Sequence, residues 1–166
     1  MSFWTDPGLE PKRNFRFKLT DGGAGEWWYA KTVDKPSFDI SSSDYQLINH
    51  KFKYPGIATW KPITITIADV SKRVFAFVAE LKSMGYAYPD ASVPHKGLEK
   101  LMEAKDGAAN ITNMIIEHIE ASGKPEETWR LYGAFITSIS FSKLDYSSDD
   151  ISVITIEVAY DYAKVT

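Results

Sequence analysis

The stretch YPGIATWKPITITIADVSKRVFAFVAELKSMG, Tyr54 to Gly85, changes its hydrophobic period part-way along. Ile63, Ile65 and Ile67 alternate with Thr64 and Thr66, the period of two of a half-buried strand, so one face of KPITITIAD belongs to a core. From Val70 onward Val74, Phe77, Val78 and Leu81 make an apolar stripe at helical spacing. Asp69 or Ser71 is placed to cap that helix and Gly85 to end it. A strand that runs straight into a helix with one apolar face predicts a helix lying against a sheet.

Working toward the N-terminus, NFRFKLT alternates Phe15, Phe17 and Leu19 with Arg16 and Lys18 and reads as another half-buried strand. DGGAGE, Asp21 to Glu26, is a turn into WWYAKTVD. It lacks the Lys-Ser/Thr signature and the following helix of a phosphate loop. Lys35 to Tyr54, with FDISSSDYQLINHKFKY, gives two short strand-like runs about a Ser/Asp centre. This is a long hairpin excursion with more apolar residues than a solvent loop requires.

Toward the C-terminus, residues 86–110 carry Pro89 and Pro94 and read as a loop, with a short helix about Gly97 to Ala104. Strand patterns return in ITNMIIEHIEA, ETWRLYG, ITSISFSKL and ISVITIEVAYDY, the last running almost to the end of the chain, joined by short turns. The expected fold class is α+β, mainly β: two packed antiparallel sheets, a β-sandwich or partial barrel, with one flanking α-helix.

The 166 residues suit one domain and suffice for a real core; 44% are hydrophobic and 25% charged, which excludes a disordered chain. A net charge of −3 opposes sequence-blind binding to nucleic acid, which needs a basic excess. The absence of cysteine excludes disulfides, thiolate zinc sites and cysteine nucleophiles. The N-terminus lacks the pattern of a signal peptide and no segment has the length of a membrane span, so the expectation is a soluble product with no membrane anchor.

Chemistry-bearing constellations are absent from the pattern. Asp145, Asp149 and Asp150 crowd one turn, but an aspartate stands where a calcium loop needs glycine and Glu157 falls one residue past the bidentate position. The turn reads as a solvated corner. His50, His95 and His118 are scattered. In EHIE, Glu117 to Glu120, His118 shares a strand face with Glu120, so no ligands converge and the face is expected to be exposed. No Gly-x-Ser-x-Gly elbow occurs and no carboxylate pair stands out, so no catalytic, cofactor or metal residue is assigned and the chain is not read as an enzyme. In WWY, Trp27 and Tyr29 share one strand face and Trp28 takes the other, so one side needs a second apolar surface.

The order of these pieces resembles the tail tube proteins of contractile-tailed bacteriophages, over about Arg13 to Ala163. The resemblance rests on the Trp60 to Met84 strand-to-helix run and on a C-terminal pattern of glycine, aromatic and threonine, alternating strand, Leu-Asp-aromatic, acidic turn, alternating strand and Tyr-Asp-Tyr. It implies one tube domain over 13–166 behind an N-terminal arm over 1–12, with an inter-subunit hairpin at about 35–54 and a variable loop at about 86–110. It further implies hexameric rings that stack with their inward strands joined into one continuous barrel. Expected partners are copies of the chain itself, tail sheath protein, baseplate and tail terminator proteins, and a tape-measure protein inside the tube. DNA would pass through without specific binding.

That reading places the chain in the virion tail, made in the bacterial host cytoplasm. Glu157, Asp161 and Thr155, opposite the apolar face of the last strand, become lumen-lining candidates. Phe38, Tyr45, Leu47, Phe52, Tyr54 and Trp28 become inter-subunit candidates. The rival readings are a tube initiator or cap, the tube of a related contractile injection system, and a monomeric β-sandwich that binds ligands through its tryptophans.

Overall fold

Ten strands and one helix are described in the computed structural model, which covers residues 12–20, 25–70, 73–83, 113–147 and 149–166. In chain order they are β1 (Phe17–Thr20), β2 (Ala30–Val33), β3 (Phe38–Leu47), β4 (His50–Trp60), β5 (Ile63–Ala68), α1 (Arg73–Ser83), β6 (Ile115–Ile119), β7 (Pro125–Tyr132), β8 (Phe135–Phe141), β9 (Val153–Ala159) and β10 (Tyr162–Val165). The N-terminal arm up to residue 11, the caps expected at Ser71 and Gly85, and the loop over 86–110 lie outside the described residues.

The strands form a four-stranded sheet in the order β1-β6-β7-β10, a second in the order β2-β5-β9-β8, and a separate β3–β4 hairpin. Among the described residues every strand pairing is antiparallel. The first sheet contributes Leu19, Ile116 and Leu131 to the core, and the second contributes Ile63, Ile65, Ile67, Ile154, Ile156 and Val158. The isoleucines of β5 and β9 face each other across the register Ile65↔Ile156 and Ile67↔Ile154 and are fully buried. Each such side chain contributes about 1.5–3 kcal/mol by leaving water. Phe77 of α1 closes the same core, so the expectation of two packed sheets with one helix holds.

The last strand departs from the expected single run. β9 stops at Ala159, the chain bends at Tyr160 and Asp161, and β10 pairs in the other sheet. β7 makes the matching crossing through Gly133, whose φ of 64° suits glycine. The two crossings run side by side, with Tyr132↔Tyr162 on one side and Phe135↔Ala159 on the other, and the Asp161 amide donates to the Tyr132 carbonyl at 2.9 Å between them. One bent two-stranded ribbon therefore belongs to both sheets.

His118 corrects a second expectation. It is buried, not exposed. Its Nε2 lies 2.9 Å from the Arg13 carbonyl and its Nδ1 3.4 Å from Glu126. The alternation of β6 puts His118 with Ile116 on the core side, where the incoming residues at Arg13 to Arg16 cover it. Next to it Glu127 takes Lys12, Lys35 and the Trp129 indole, and the Lys12 hydrogen bond above all holds its carboxyl down to about 2.

Candidate functional site

Two surfaces carry more than the fold requires. The first is the β3–β4 arm. It leaves the second sheet after β2 and returns into β5, its base closed by the Lys61 amide donating to the Ser37 carbonyl and by the Lys61–Asp39 ion pair at 2.9 Å. From Phe38 to Thr59 every residue is exposed, so the arm stands away from its own domain. Phe38, Tyr45, Leu47, Phe52 and Tyr54 are 45–56% exposed, more bare apolar surface than a short ribbon needs for its own folding.

The register explains how that surface is arranged. From Phe38↔Trp60 and Ile40↔Ala58 the pairing jumps to Ser42↔Pro55, so Gly56 and Ile57 stand opposite Ser41 as a β-bulge. An extra residue on one strand reverses the direction of its side chains beyond it. Below the bulge, Phe38, Ile40, Ala58 and Trp60 share one face, with Phe38 and Trp60 rings 5.0 Å apart. Above it, Tyr45, Leu47, Phe52 and Tyr54 share the opposite face with His50, and Asp44, Gln46, Lys51 and Lys53 lie behind them. The base patch continues the core through Trp60 and Tyr160, 5.9 Å apart. The tip patch faces away from that side.

The second surface is the outer face of the β2-β5-β9-β8 sheet. Thr32, Thr66, Thr155 and Ser140 make one row across all four strands, and Thr64, Glu157 and Ser138 make another across three. Thr155 is half-buried and Glu157 exposed. Asp161, expected on this face, instead sits exposed at the bend after β9. The belt is a wall of hydroxyls with Glu157 in it and the Asp34 carboxylate at its edge, where it accepts from the Thr64 amide at 3.2 Å, chemistry that offers phosphates no counter-charge.

No family model and no curated protein matches the sequence; structures do. A chain of the sheath/tube terminator of the extracellular contractile injection system PVC superposes with a TM-score of 0.68 at 18% identity, covering 95% of this chain and 98% of that one. The PVC sheath-tube complex gives 0.63 at 18% identity, covering 94% and 91%. The six-fold symmetrised baseplate of the anti-feeding prophage gives 0.63 at 14% identity, covering 95% and 97%. This is the fold of tube and tube-terminator proteins from contractile injection systems.

On the tube fold, the inter-subunit candidates divide. Five of them gather on the arm, on two opposite faces, while Trp28 stands alone before β2, 80% exposed, its ring edge-on to Tyr29. Sequence reasoning missed a second apolar cluster at the β8–β9 corner: Leu144, Tyr146 and Ile151 are bare around the acidic turn. Within it Asp145 accepts from the Ser147 hydroxyl and amide, at 2.6 and 3.0 Å, and so is held below the usual carboxylate range. Among the described residues no cluster of three or more His, Asp or Glu side chains could hold a metal ion.

Proposed function

We propose that this chain is a tube-forming structural subunit of a contractile tail-like machine, assembling as stacked six-fold rings around a bore lined by the hydroxyl belt with Glu157. The β3–β4 arm carries the reading. A monomeric domain has no use for a free-standing ribbon with bare aromatics on both faces, whereas a polymer buries them against its neighbours and covers the sheet edges as the rings close.

In a phage tail such a bore conducts DNA during ejection, and a wall of hydroxyls and carboxylate lets it pass without holding it. The sheath would ride outside, with baseplate and terminator proteins at the ends and a tape-measure protein within. A tube-capping role is the second reading, favoured by the TM-score of 0.68 against the PVC terminator.

Electron microscopy of the concentrated protein, with light scattering on the same sample, tests both. Hollow tubes many rings long support the tube subunit. Single rings that do not stack favour the cap. A ring-free monomer that binds a sugar or peptide sinks both readings in favour of a binding module.

A further inference from the structure

The packing between the two sheets leaves a cleft of about 370 Å3 where β2 forms the edge of its sheet. Phe17, Ile116 and Trp129 of the first sheet line one side, and Lys31 and Val33 of β2 line the other. An apolar cavity of about 150 Å3 already takes a benzene ring, so this one has room for an indole. The Trp129 wall is tied to the incoming chain: Glu127 accepts from the Trp129 indole and from Lys12, and Asn14, two residues on, also lines the cleft. Residues 1–11, outside the described residues, therefore join the chain beside that wall. They read MSFWTDPGLEP, with the two aromatics Phe3 and Trp4. Pro7-Gly8 is the central pair of a type II turn, which sets Trp4 opposite Pro11 and Phe3 opposite Lys12. The sequence thus returns its aromatic rings to the level at which the cleft opens.

We propose that residues 1–11 double back and seat Trp4, with Phe3 beside it, in the cleft between the sheets, closing the sandwich at its β2 edge. The occupant comes from the same chain. A short segment held at Lys12 stays near the cleft at an effective concentration on the order of millimolar, which a second copy in dilute solution does not match. The indole gains apolar contact with Phe17, Ile116 and Trp129, and its burial removes a large aromatic surface from water. Charge favours the same occupant: Lys31 has no ion-pair partner among the described residues, and the segment carries Asp6 and Glu10. The plug is a property of the single chain and does not depend on tube formation.

The chain has no cysteine, so Val33→Cys in the full-length protein places a single thiol in the cleft wall. Its reaction with a small maleimide should be roughly tenfold slower than in the same chain carrying Phe3→Ser and Trp4→Ser, because the thiol then reacts only when the plug opens. Circular dichroism should be the same for both. Asn14→Cys, at an exposed lining position, is a second reporter with the same expected ratio should Val33→Cys disturb the fold. Protection should hold on dilution, and Trp4→Phe, which keeps a ring, should retain most of it. Equal rates with and without the two serines overturn the seating. Protection that fades on dilution overturns it too, since the cleft is then filled by the segment of a second copy.

Discussion

Ser41 Oγ accepts a hydrogen bond from the Ile57 amide at 3.0 Å, and that bond pins the bulge where the arm's apolar surface changes sides. Gly56 makes the approach possible: a Cβ there would stand 2.3 Å from Ser41 Oγ and 3.1 Å from the Ser41 carbonyl oxygen. Without the extra residue in β4, Phe52 and Tyr54 would return to the face of Phe38 and part from Tyr45 and Leu47. Gly56→Val should therefore scramble the tip and leave the domain intact. The unfolding free energy of the body should change by less than about 0.5 kcal/mol, while particles in micrographs and the sedimenting fraction are lost. A large fall in stability would show that the arm is integral to the domain's core.

Replacing Tyr45 and Phe52 with serine tests the arm directly. The pair lie opposite each other on the exposed tip face. Circular dichroism should be unchanged and solubility raised, and association should fall in light scattering. Association that persists at the parent level would remove the tip from the interface.

The core should respond differently. Ile156 is fully buried against Ile65, and Ile156→Ala should cost ~2–5 kcal/mol in urea unfolding, as a deleted side chain leaves both lost burial and a cavity. Ile151→Ala, five residues earlier in an exposed position, should change stability by less than about 0.5 kcal/mol.

Glu127 makes a pH-dependent contribution. Its carboxyl is lowered from 4.5 to about 2, first by the Lys12 hydrogen bond and then by Lys35 and the Trp129 indole, against the opposing effect of burial. A depressed folded value stabilises fully above the unfolded value and is lost as pH falls through the folded one. Glu127→Gln should cost ~1–2 kcal/mol at neutral pH. The gap from the parent should close as pH falls from about 4.5 toward 2. Urea midpoints across that range would show it, and a gap independent of pH would mean that charge is not the source.

The lumen assignment is open to chemical labelling. Glu157→Cys should react in assembled particles with a small maleimide and resist one coupled to a bulky protein. Equal reaction with both would place the hydroxyl belt on an outer wall.

Much of this fold was legible because alternation reports burial directly. KPITITIAD reads as a strand, and its isoleucines are indeed the centre of the core. The bend at Tyr160 was not legible for the same reason. Ile154, Ile156, Val158 and Tyr160 stay buried at every second position through the corner, so the period is unbroken while the partner changes. His118 was misread because local alternation cannot show that Arg13, 105 residues away, supplies a carbonyl to its ring. The arm was visible as surplus apolar residues, but its two-sidedness depends on one unpaired residue in the ladder. Register is set by both strands together, and neither strand alone displays it.

The bent ribbon has a mechanical meaning. β7 passes into β8 and β9 into β10 as adjacent, paired backbones, so the two layers are joined by two covalent chains lying side by side. A pull that would slide one layer over the other must stretch peptide backbone before it can shear side-chain packing. In the proposed tube, that double link would hold the two layers of each wall segment together under load along the axis.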